Sequence, residues 1–205
     1  MRPAGKVGFP LLMLDESSTR SRRAFIWVAT GLALVVVGTC LATAGDTIAG
    51  AVAATRYSAR FSGLVLAVAL VARAPRPVAL SRRRTELTFA FVAAHGVHFA
   101  TVLLRAVVEP GHKLRTFGLD VVVVVLLGLI LLALISGTAR ATSVAGRRVN
   151  AIAFSVAWTV FVLGSAMRAR TARASGAVLA ALAAAMVWRI ASGMAQGRIV
   201  PAVRP

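Results

Sequence analysis

Two histidines, His95 and His98, stand three residues apart inside Thr88–Ala106, TFAFVAAHGVHFATVLLRA, a run otherwise built from residues that avoid water. A neutral imidazole combines a hydrogen-bond donor, an acceptor and a metal-ligating lone pair, so this pair is where the chain can do chemistry. At 3.6 residues per turn, Thr88, Phe91, His95, His98, Val102 and Arg105 fall along one helix face. Ionisable groups within an apolar span face the bundle interior or a cavity, so both rings are predicted to point at neighbouring helices and away from lipid. Two kinds of chemistry fit. In the first, the imidazoles hydrogen-bond to Ser, Thr or backbone carbonyls across a helix interface, at roughly 0.6–2 kcal/mol each. In the second, an imidazole ligates haem iron, for which a dry helical bundle is a suitable container. Side chains three apart on one helix project the same way, so the pair cannot clamp one planar macrocycle from both sides. A second ligand has to come from another helix. The remaining histidine, His112, follows Pro110-Gly111 in a loop and is predicted to be solvated.

Other constellations are thin. Asp46, Glu86, Glu109 and Asp120 are single carboxylates near the ends of apolar runs, where a solvated anchor or a helix-terminal charge is the ordinary role. No paired carboxylates, no metal-spaced Cys and His cluster and no nucleophile beside a base appear, so hydrolase chemistry has no support. The one cysteine, Cys40, has no intramolecular partner and reads as a small buried hydrophobe in the first apolar run. Val37-Gly38-Thr39 before it and Ala42-Thr43-Ala44 after it are weak likenesses of signal cleavage sites. The apolar run after Arg22-Arg23 is longer than a signal h-region, so it reads as an uncleaved first span.

The elements that must position the histidines follow from composition. The chain has 205 residues of which 59% are hydrophobic, above the roughly 45–50% of a soluble domain, and its mean hydropathy is +0.83. Windows of about 20 apolar residues, the length that crosses a ~30 Å hydrocarbon core, predict six spans: Ala24–Ala44, Phe61–Val71 with flanks, Glu86–Ala106, Phe117–Thr138, Val149–Ala169 and Ala174–Met194. The second is the shortest, bracketed by Arg60 and Arg73, and a five-span arrangement with a re-entrant segment is its alternative. Net charge is +18, which in a soluble protein would raise nucleic-acid binding. Here the basic residues lie between the apolar runs. The N-terminal tail, Ala72–Thr85, Gly137–Arg148 and the end from Arg189 carry 16 of the 24 Lys and Arg, and the three other loops with their flanking span ends carry 8. The positive-inside rule therefore predicts both termini in the cytoplasm, with basic loops facing anionic headgroups and no nucleic acid as partner. Ala, Gly, Ser and Val dominate the spans, as in Gly176–Ala185, which suits close helix approach in lipid. No G-x-G-x-x-G is present, so a flavin or nicotinamide domain is not expected in this chain.

Residues Ser58 to Ala169 resemble the ferric reductase-like transmembrane domain family, which includes the haem-binding membrane subunit of the periplasmic methionine sulfoxide reductase system. The resemblance is carried best by RRRTELTFAFVAAHGVH over Arg82–His98. The family has an Arg pair there, a Leu-Gly-Leu stretch and then a haem-ligating His in the third span, in some members as Ala-His-x-x-His. This chain departs at two places. Thr85-Glu86-Leu87 lacks the glycine. The fifth span, opened by Gly146-Arg147-Arg148-Val149 where the family has Arg-Arg-Trp, carries Ala153 and Ala166 where the family's further histidines fall.

The resemblance implies a b-type haem held by His95 or His98, with His95 at the closer family spacing. Three arrangements are open: Met167, beside the expected fifth-span position, as the opposite ligand; a cofactor shared between chains of a homo-oligomer; or the fold without haem. The expected fold is an all-α integral membrane protein of about six transmembrane helices, with a cytoplasmic tail at 1–23, a transmembrane domain at 24–194 and a short cytoplasmic tail at 195–205, in a bacterial inner membrane. The expected function is an electron-transfer subunit that receives electrons from a redox partner protein or quinol. The alternative is a haem-free membrane protein serving as an interaction partner or small transporter.

Overall fold

The computed structural model describes residues 16–74, 78–109, 128, 130–135, 143–169 and 173–197, and among these every regular element is a helix. In chain order they are α1 (Glu16–Thr43), α2 (Thr47–Val71), the single turn α3 (Val78–Ser81), α4 (Arg84–Val108), α5 (Val144–Ala169) and α6 (Arg173–Gly197). Residues 130–135 of the predicted fourth span are also helical, and most of the rest of that span, with His112 and Asp120, lies outside the described residues. Among the described residues, four helices are long and apolar enough to cross a membrane: α1 from Arg20, α4, α5 to Met167 and α6 to Ser192.

The second helix is longer than its apolar core predicts. It starts at Thr47, where Asp46 caps it by accepting a hydrogen bond from the Ala49 N–H at 2.7 Å. Arg56 and Arg60 therefore lie inside a helix and not in a preceding loop. Arg60 is accommodated by stacking over the Tyr57 ring at 5.0 Å and by reaching the Ser175 hydroxyl of α6 at 3.5 Å. Hydropathy places the boundary at a charge, but a helix continues through a charge whose long stem lies along the bundle.

α2 is the central element, packed against α1, α4, α5 and α6. It achieves this with small residues on its buried faces, among them Gly50, Ala51, Ala54, Ser58, Ser62, Gly63 and Ala67, which let neighbouring backbones approach. The larger core side chains cluster toward the end where α2 stops and α4 starts: Leu66 and Leu70 of α2, Phe91 of α4, Phe154 of α5 and Leu182 of α6, with Leu134. Trp27, Val28, Leu34 and Val35 of α1 point outward, Trp27 being 72% exposed. Apolar residues turned outward in this way suit a lipid surround.

Candidate histidine site

The α2–α4 seam is antiparallel, and its register sets hydroxyls opposite imidazoles. Ser62 Oγ is 2.8 Å from His95 Nδ1. One helical turn away, Ser58 Oγ is 3.0 Å from His98 Nδ1 and 3.0 Å from Thr101 Oγ1. Thr101 also donates to the His98 carbonyl at 2.7 Å, and Thr55 donates to the Thr101 carbonyl at 3.0 Å. Thr55, Ser58 and Ser62 lie three and four apart, so they share one face of α2. The predicted polar face of α4 meets this stripe. Thr88, Phe91 and His95 are all buried, and His98 and Arg105 are half-buried.

His95 is 2% exposed. It lies eleven residues into the 25-residue α4, about 16 Å from its start at 1.5 Å per residue. Its ring stacks on Phe91 at 5.5 Å and meets Phe99 at 4.6 Å and Phe161 of α5 at 5.2 Å, with His98 at 5.3 Å. The two ring nitrogens are treated differently. Nδ1 is held by Ser62, whereas Nε2 is buried and has no hydrogen-bond partner among the described residues. When Nδ1–H donates to the serine, Nε2 carries the lone pair. This is how a metal-ligating histidine is oriented by its surroundings.

The fold brings His95 and His98 together and keeps Met167 apart from them. Phe161 is the α5 residue at the level of His95. Met167 is six residues further on, about 9 Å along the axis, and is 82% exposed. Ala153 is buried in the core beside Phe154, and Ala166 is exposed. Among the described residues, His95 Nε2 is a buried ring nitrogen without a hydrogen-bond partner, with the His98 ring beside it and Met167 exposed away from it. No group of three or more His, Cys, Asp and Glu side chains able to hold a metal ion occurs among the described residues.

Ser58 and Ser62 are the histidines' hydroxyl partners, which the sequence alone did not single out. Their signal was present: two hydroxyls four residues apart in YSARFS. What was missing was the register that pairs them with the histidines. The carboxylates behave as terminal groups. Asp46 caps α2, Glu109 takes the Arg105 guanidinium at 2.6 Å, and Glu86, buried in the first turn of α4, lies 3.5 Å from Arg83. Trp158 donates its indole N–H to the Leu182 carbonyl at 3.1 Å, tying α5 to α6, which is plain packing. Compared with protein-family models, curated proteins and solved structures, the chain matches none.

Proposed function

We propose that this chain is a ferric reductase-like membrane subunit in which His95 ligates a b-type haem through Nε2. The observation that supports this reading is the buried, unpartnered Nε2, since an apolar interior penalises an orphaned ring nitrogen by about 1–3 kcal/mol. A ligand that accepts the lone pair removes that penalty. Haem supplies one-electron transfer when bound. The chain's own residues hold and shield it. Ser62 fixes the His95 ring and its tautomer, Phe91, Phe99 and Phe161 exclude water, and His98 is retained on Ser58 as a neighbour. Electrons come from a partner protein or quinol, because the chain carries no Gly-rich nucleotide-binding turn. In a homo-oligomer, a second copy of the chain would supply a further histidine to the haem.

In this reading the four apolar helices are joined by α2 and by the segment around 117–138 as spans. This gives six, with both termini in the cytoplasm of a bacterial inner membrane. A second reading is a haem-free membrane protein of the same fold, an interaction partner or small transporter. The hydrogen bonds of Ser62 and Ser58 to the two Nδ1 atoms favour it, because they already employ one nitrogen of each ring as interhelical glue.

The absorption spectrum of the detergent-purified protein separates the two. A Soret band that sharpens and shifts on dithionite reduction is expected, abolished in His95→Ala and only weakened in His98→Ala. Absence of haem absorbance after expression with ample haem supply defeats the electron-transfer reading and leaves the second.

A further inference from the structure

We propose that the end of the bundle where α2 stops and α4 starts carries a binding site for a phosphate-type oxyanion, built by Arg73, Arg84 and Arg189. Helix register brings Arg73 and Arg189 to one level. α2 and α6 run parallel, with Arg60 reaching Ser175 at a sequence offset of 115, and the position a Gly63 Cβ would occupy lies 2.9 Å from Val178 Cγ1 at the same offset. Carried to the end of α2, this register sets Arg73 beside Trp188 and Arg189. α5 runs antiparallel to α2 and delivers Asn150 and Phe154 to the same level. The Arg73 guanidinium donates from Nη2 to Asn150 Oδ1 and lies over the Phe154 ring, 3.6 Å from its centroid. Asn150 and Phe154 thus fix the plane of the guanidinium. Its Nε is buried and has no partner among the described residues. Arg84 opens α4, one short connection after α2 ends.

Among the described residues, Glu86 in the first turn of α4 lies 3.5 Å from Arg83, and Arg105–Glu109 is an ion pair at the far end of the helix. Burial, followed by the charges of Arg189 and Arg84, lowers the Arg73 pKa to about 9. An anion seated between the three would reverse that pressure. A planar, oriented guanidinium with its Nε–H unpartnered among the described residues can donate a charge-assisted hydrogen bond to a tetrahedral oxyanion. Two sources carry this chemistry, the phosphodiester of an anionic phospholipid headgroup and free phosphate. The site is independent of whether His95 holds haem.

Native mass spectrometry of the detergent-purified full chain, titrated separately with phosphatidylglycerol and inorganic phosphate, tests this. Wild type and Arg148→Gln, a change at an exposed arginine nearby in sequence to Asn150, are expected to retain one adduct. Arg73→Gln and Arg189→Gln are expected to lose about tenfold or more in apparent affinity, the size of a lost hydrogen bond to a charged group. A lipid adduct without a phosphate adduct assigns the site to headgroups, and a phosphate adduct assigns it to soluble phosphate. Equal adduct formation in wild type, Arg73→Gln and Arg189→Gln overturns the proposal. So does an equal loss in Arg148→Gln, which would make the binding a diffuse effect of surface charge. Should Arg73→Gln fail to fold, Arg189→Gln and the exposed Arg84→Gln carry the same comparison.

Discussion

Ser62 and His95 form one interhelical contact with two consequences, one structural and one chemical. The structural consequence is a hydrogen bond between α2 and α4 in an apolar surround, where such bonds contribute about 0.6–1.7 kcal/mol. Ser62→Ala is expected to destabilise the detergent-purified protein by an amount within that range, seen as a lower melting temperature. In a double-mutant cycle with His95→Ala, the two losses are expected to be less than additive, because either change removes the same bond. Full additivity would mean that the 2.8 Å contact contributes nothing of its own. The chemical consequence belongs to the haem reading. Ser62→Ala should leave a Soret band in place while shifting the midpoint potential, since the serine tunes the ring and Nε2 is the ligand. An unchanged potential in a variant that still binds haem would remove Ser62 from that role.

Among the elements, α2 is the most demanding, because it must pass close to its neighbours while carrying two arginines. Gly63 marks the closest approach. An added Cβ there would stand 2.9 Å from Val178 Cγ1 and 3.1 Å from Phe161 Cδ1, whereas one at Gly31 of α1 meets nothing within 4 Å. Gly63→Val is therefore expected to destabilise by about 1–3 kcal/mol through overpacking. Gly31→Ala should be neutral or stabilise by up to ~1 kcal/mol, as for glycine replaced in an open helix position. Melting curves of the two variants check this, and equal behaviour would argue against a tight α2–α5–α6 junction. At the start of the same helix, Asp46→Ala removes the side-chain acceptor for the Ala49 N–H. That change should cost about 0.5–2 kcal/mol. Asp46→Asn, which keeps an acceptor oxygen, should restore most of it.

At the scale of the molecule, the arrangement of charge predicts an orientation. The end of the bundle with Arg22, Arg23, Arg73, Arg82–Arg84, Arg147, Arg148 and Arg189 is the one that the positive-inside rule assigns to the cytoplasm. Reporter fusions at Arg76 and Ser143 should then report the inner side. Fusions at Ala51, Gly111 and Thr171 should report the outer side. The reverse pattern would sink the orientation. A Gly111 fusion reporting the same side as Ser143 would sink the six-span count, since the segment around 117–138 would then not cross.

Hydropathy alone determined that the described part of this chain is a set of mostly apolar helices, because in lipid the backbone must satisfy its own hydrogen bonds and length follows from bilayer thickness. The boundaries of α4 and α6 were legible to within three residues for that reason, whereas α5 starts at Val144, five residues before its apolar run. The helical period also determined that Thr88, Phe91 and His95 share a buried face. The start of α2 was not legible, because local hydropathy falls at Arg56 and Arg60, and the reach of Arg60 to Ser175 depends on a helix that is distant in sequence. The partners of the histidines were not legible either. Which hydroxyl meets which imidazole is set by the antiparallel register of α2 against α4, a relation between segments more than thirty residues apart. The same limit applied to Met167, whose place in the sequence beside an expected ligand position says nothing about the direction of its side chain. Composition specifies elements through local physics. Which face meets which partner is decided by packing, and only the tertiary structure settled that His95 presents one bound nitrogen and one unpartnered nitrogen.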